Sequence, residues 1–107
     1  MSAAWQVVTT IDSPEAAERI ARALVDQRLA ACVQIEGPCL SVYRWKEKTE
    51  ESTEWMCLIK TTAELYDAVE TAIQAQHHYD EPEIIATKIE RGSPGYLAWI
   101  AENTRSN

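Results

Sequence analysis

Glycine and proline are scarce, at 3 and 4 of 107 residues. That excludes collagen-like, low-complexity and linker-rich architectures. It also removes the glycine-rich loop that an acylphosphatase-type hydrolase needs to cradle phosphate, with an arginine aimed into it. The segment where such a loop would lie, Asp12-Ser13-Pro14-Glu15, is acidic and holds no glycine. Basic residues are also few, 10 Lys and Arg against 17 Asp and Glu, for a net charge of −7. Such a field repels phosphate backbones and anionic lipid, so nucleic acid and membrane surfaces are not expected partners. It favours cationic ligands, metal ions among them, although it also serves plain solubility. No apolar run approaches a membrane span. The N-terminal stretch Met1-Ser2-Ala3-Ala4-Trp5 lacks the basic-then-apolar pattern of a targeting signal. Cysteine is limited to Cys32, Cys39 and Cys57. Their spacing excludes a zinc ribbon and a Cys-x-x-Cys metal chaperone. An odd, scattered set predicts free thiols in a reducing compartment, the cytoplasm.

What is present is patterned. Residues 5–11 alternate, with Trp5, Val7, Thr9 and Ile11 on one side, as a strand does. Ser13 and Pro14 then supply a cap and a first helical residue. Ala17, Ile20, Ala21 and Leu24 form an apolar helical stripe that should end near Gln27 or Arg28. Leu29 to Val33 leads into a second strand, bent at Gly37-Pro38 and resumed over Cys39–Trp45. The polar stretch 46–53 is expected to be a hairpin connection, and 54–60 a third strand. Thr61 and Glu64 have capping-box spacing ahead of a helix built on Leu65, Val69, Ala72 and Ile73. A fourth strand over 83–89 and a short helix opened by Gly92-Ser93-Pro94 complete the chain. The order is βαββαβ plus a C-terminal helix: an α+β, ferredoxin-like fold in one domain spanning residues 1–107.

In that fold the main helices cover one sheet face. The other should be polar, yet Met56 and Leu58 oppose Trp55, Cys57 and Ile59 on the third strand, and Leu40 and Val42 oppose Cys39, Tyr43 and Trp45 on the second. Both faces are apolar, which predicts closed self-association.

Several segments together resemble one family. They are Leu29-Ala30-Ala31-Cys32-Val33, Tyr43-Arg44-Trp45, Glu54, Leu58-Ile59-Lys60-Thr61-Thr62, the run from His77 to Ile84, Gly92, and Tyr96-Leu97-Ala98-Trp99-Ile100. In order and spacing they resemble the CutA family, from about Val7 to Ile100. The resemblance implies a homotrimer, similar in architecture to the PII signalling proteins. It implies tolerance to copper and other divalent metals, no required cofactor and no established catalysis. Two departures stand out: His78 occupies a position where proline is usual, and Thr9 and Thr10 stand where some members carry a cysteine.

His77, His78, Asp80, Glu81 and Glu83 fall within seven residues. Imidazole and carboxylate suit Zn²⁺ or Cu²⁺, but the spacing forms no closed site and also fits a solvated acidic turn. His77 is the first candidate ligand and Glu83 the second. Cys32 is a third, although a buried cysteine more often serves as a small packing residue. Tyr43, Trp45, Lys60, Thr61 and Tyr79 match family positions bordering a cleft between subunits. Aromatic walls, a lysine and hydroxyls could hold a small anion or metabolite, or the aromatics could anchor an interface. The expected function is thus a metal-linked trimer, not an enzyme. The alternatives are a scaffold for a protein partner and a small-metabolite regulator.

Overall fold

The computed structural model describes residues 3–106; Met1 and Ser2, part of the stretch inspected for a targeting signal, lie outside it. Eight segments follow one another: β1 (Ala4–Ile11), α1 (Pro14–Asp26), β2 (Cys32–Trp45), β3 (Lys48–Thr62), a 3₁₀ turn (Ala63–Leu65), α2 (Tyr66–Gln76), β4 (Ile84–Lys88) and α3 (Pro94–Glu102). The sheet order is β2-β3-β1-β4, and every neighbouring pair is antiparallel. This is the expected ferredoxin-like arrangement.

The core lies between α1, α2 and one sheet face. Val7, Thr9 and Ile11 of β1 and Cys57 and Ile59 of β3 are fully buried there. Ile20 and Leu24 of α1 and Val69 and Ile73 of α2 pack onto them. The periodicity explains this: alternation places β1 side chains on one face, and helical spacing aligns the stripes opposite. Ser13 caps α1 as expected, its hydroxyl accepting from the Ala16 N–H at 3.2 Å, with Pro14 in the first turn. Arg28, just past the helix, takes a left-handed φ of 58°. Its guanidinium donates to the Glu102 carbonyl at 3.0 Å, and its own carbonyl accepts from the Arg105 N–H at 2.8 Å. The tail after α3 is thereby tied to the end of α1. α3 itself reaches the sheet face opposite the main helices, where Tyr96 lies beside the Cys32 thiol.

Three details differ from the sequence expectation. First, the polar stretch 46–53 is not a connection. β3 begins at Lys48, and the turn is only Lys46 and Glu47, both with left-handed φ values of 50° and 68°. Two such residues match the right-handed strand twist. Without Asn or Gly the turn carries no sequence signal, and the strand beyond it is polar because it belongs to a two-stranded arm that few other elements cover. Second, Thr61 forms no capping box. It is fully buried, and its hydroxyl donates to the Leu29 carbonyl at 2.6 Å. Helix α2 starts later, after a 3₁₀ turn whose first flanking residue, Thr62, makes no side-chain cap. Third, Ser93 precedes α3 without a side-chain cap bond.

The bend at Gly37-Pro38 is a β-bulge. Glu36 pairs with Met56 but Cys39 pairs with Glu54, so β2 advances three residues for two of β3. One extra residue inverts the alternation. Before the bulge Cys32, Gln34 and Glu36 share the open face with Met56 and Leu58; after it Cys39, Ser41, Tyr43 and Trp45 do. The bulge therefore puts the arm's aromatic residues on the face of Glu54.

Cys57 is fully buried, its thiol 3.7 Å from the Ala17 carbonyl. Burial pushes the thiol up to about 11 from an ordinary 9.0. A raised native-state value favours the protonated form, so its stabilisation is complete below pH 9 and is lost as pH rises towards 11. Urea denaturation midpoints are expected to fall over that interval. Cys57→Ala, whatever its stability at neutral pH, should show a flatter decline.

Candidate functional site

A cleft of about 830 Å³ opens between the β2–β3 arm and the segment joining α2 to β4. Its walls include Tyr43, Arg44 and Trp45 from the arm, Glu54 from β3, Thr10 from β1, and His78 to Glu83 from the connecting segment.

His77 sets the course of that segment. It ends α2 with extended backbone. Its Nε2 lies 2.8 Å from the Thr10 carbonyl oxygen, and its Nδ1 accepts from the Tyr79 N–H at 3.2 Å. A carbonyl only accepts, so Nε2 carries the proton and both ring nitrogens are engaged. The ring of Tyr79 packs on His77 with centroids 4.6 Å apart and meets His78 edge-on at 5.0 Å. His78 Nε2 pairs with Asp12 Oδ1 at 3.0 Å, both half-exposed. This contact joins the segment to the turn ahead of α1.

Behind the aromatic wall lies Glu54, a carboxylate only 6% exposed. The Tyr79 hydroxyl donates to its Oε2 at 2.8 Å. Burial, and then the hydrogen bond and charge of Glu54, push the Tyr79 phenol well above its ordinary value.

The sequence candidates divide. Tyr43, Trp45, Tyr79 and Glu83 come together at the cleft. Lys60 does not; it donates to Gln34 Oε1 at 3.0 Å, six residues along β3 from Glu54, or about 20 Å. Thr61 is turned into the core. Cys32 pairs with Lys60, and Gln6, opposite Lys60, is four residues from Thr10 on β1. That separates Cys32 from the His77 contact by about 13 Å along the sheet. Among the described residues no three His, Cys, Asp or Glu side chains are arranged to hold a metal ion. The donor set of one chain therefore does not fit a closed metal site. Glu54 and Asp12 were not among the sequence candidates. Glu54 carried a signal nonetheless, as a carboxylate that alternation aligns with Met56 and Leu58 at the head of the apolar stretch 55–59.

Residues 5–103 match the model of the CutA1 divalent ion tolerance protein family. The chain belongs to that family. It is 43% identical over 98 residues to the divalent-cation tolerance protein CutA of Thermus thermophilus, covering 92% of this chain and 95% of that one. Against protein CutA of Mus musculus it is 40% identical over 97 residues, 91% of this chain. It spans about half (55%) of that relative's length. The crystal structure of CutA1 from Oryza sativa superposes with a TM-score of 0.96 at 37% identity, covering 99% of this chain and 97% of that one. Compartments named among CutA relatives differ: one from Oryza sativa is called chloroplastic and one from Archaeoglobus fulgidus periplasmic. Among the described residues of this chain no helix is long and apolar enough to cross a membrane.

Proposed function

We propose that this CutA-family chain acts as one domain, without catalysis, in a self-associated homotrimer that responds to divalent cations, copper among them. The match to the divalent ion tolerance family supports this reading most directly. His78, Asp80, Glu81 and Glu83 line the cleft and Asp12 pairs with His78, yet among the described residues no three donors are placed to hold one ion. Ligands from a neighbouring copy would complete such a set. Glu83 is free to contribute at the cleft wall. His77 can coordinate only by giving up one of its two hydrogen bonds, and Cys32 only in a set built by another copy.

Self-association is supported by the surface. Leu40 and Val42 on the arm are 66% and 63% exposed, and Ile85 on the open sheet face is 53% exposed. Patches of this kind mark interaction surfaces. The three free cysteines favour a reducing compartment such as the cytoplasm.

Light scattering at micromolar concentration should give three chain masses; a monomer would remove the assembly and the shared site together. Calorimetric titration with Cu²⁺ and Zn²⁺ should show saturable binding, weakened at least fivefold by Glu83→Gln and by His77→Ala. Equal, negligible heat from all three proteins would make any role in metal tolerance indirect.

A further inference from the structure

The cleft carries a chemical preference of its own, and the case rests on its being the ligand-holding crevice proposed above. Four carboxylates line it, Glu54, Asp80, Glu81 and Glu83, against one guanidinium, Arg44. Arg44 is tied to the Glu47 carbonyl at the hairpin turn, 3.2 Å away. Within the same chain Lys60 lies at the other end of β3, bonded to Gln34. Glu54 is the decisive residue. It is 6% exposed, Tyr79 engages its Oε2, and the residue lines the cleft. A carboxylate withdrawn from water gains most from a cation that comes to it.

The aromatic walls select the kind of cation. Tyr43, Trp45 and Tyr79 line the same cleft, and aromatic ring faces attract weakly hydrated cations. A small dication instead needs several donors converging at about 2 Å, and among the described residues of one chain no three converge. The volume, about 830 Å³, is in the range of small-molecule sites. We infer that the cleft between the hairpin arm and the 77–83 segment binds a small organic cation, an alkylammonium group held between aromatic faces and the Glu54 carboxylate.

The test uses the protein as it assembles in solution. Tetramethylammonium chloride is titrated at constant ionic strength while the Trp45 indole N–H resonance is followed. Its neutral counterpart, tert-butanol, is titrated in parallel. Saturable shifts are expected for the cation, with at least tenfold weaker binding of the alcohol. Glu54→Gln and Tyr43→Ala should each weaken the cation at least tenfold. The glutamine can keep the Tyr79 hydrogen bond, and Tyr43 lies on the exposed arm, so the two substitutions guard against a folding artefact in either one. Equal response to cation and alcohol, no saturation by the cation, or unchanged affinity in both variants would overturn the inference. The zinc titration above is read separately, so loss of metal binding with retained tetramethylammonium binding would remove only the metal reading.

Discussion

Gly37→Ala is expected to destabilise the protein by about 1–3 kcal/mol, the range for overpacking a filled site. A Cβ built at Gly37 would lie 2.4 Å from Trp55 Cδ1, 2.7 Å from Cγ and 2.9 Å from Nε1. Trp55 is partly buried against the core, and an indole cannot bend aside as a flexible chain end can. Either the ring swings off the core or the bulge shifts. The second outcome has a further consequence, because the bulge sets which face the arm presents. Were it lost, Val42 and Arg44 would replace Tyr43 and Trp45 on the face of Glu54, and tetramethylammonium binding should fall with stability. Urea denaturation gives the first number and the Trp45 resonance the second. Gly95→Ala is the control. A Cβ there meets nothing within 4 Å, and alanine is the better helix former in α3, so no loss of stability is expected.

Tyr79→Phe should cost about 1.5–3 kcal/mol, the worth of a hydrogen bond to a charged group. The volume barely changes, so the loss isolates the hydroxyl that serves Glu54 at 2.8 Å. In a Glu54→Gln background the same substitution should cost clearly less, because an amide left without a donor is less penalised than a carboxylate. Equal costs in the two backgrounds would show that the charge of Glu54 is not what the hydroxyl stabilises. The pH dependence supplies an independent check. The native phenol titrates well above its ordinary 10.0, so its contribution is full below pH 10 and falls as pH rises beyond it. Tyr79→Phe should remove that part of the alkaline decline, while the part owed to Cys57 between pH 9 and 11 remains.

The two substitutions act on opposite walls of one cleft, and neither wall could be reconstructed from local pattern. Alternation over 39–45 separates Tyr43 and Trp45 from Leu40 and Val42, but the side on which each set falls depends on the single extra residue at the bulge. Thr61 and Glu64 have the spacing of a cap, yet strand β3 runs on through Thr62 and carries Thr61 into the core. Lys60 stands beside Thr61 in sequence and was grouped with the cleft, while the register with Cys32 keeps it at the other end of the strand. His77 looked like a free imidazole; the Thr10 carbonyl and the Tyr79 amide, from β1 and from the connecting segment, engage both of its nitrogens.

By itself the amino-acid sequence determined the order of elements, the start of α1, the apolar stripes and hence the core, because hydrophobic periodicity and the Ser13-Pro14 start are written within a few consecutive residues. It also carried enough family pattern for the CutA relationship to be legible. Only the tertiary structure decided how one chain contributes to the cleft: which aromatics share the face of Glu54, that Tyr79 serves it, that the chain's own Lys60 sits at the far end of β3, and that among the described residues its potential metal donors do not converge. Those outcomes depend on strand register and on contacts between residues tens of positions apart, which local spacing does not encode.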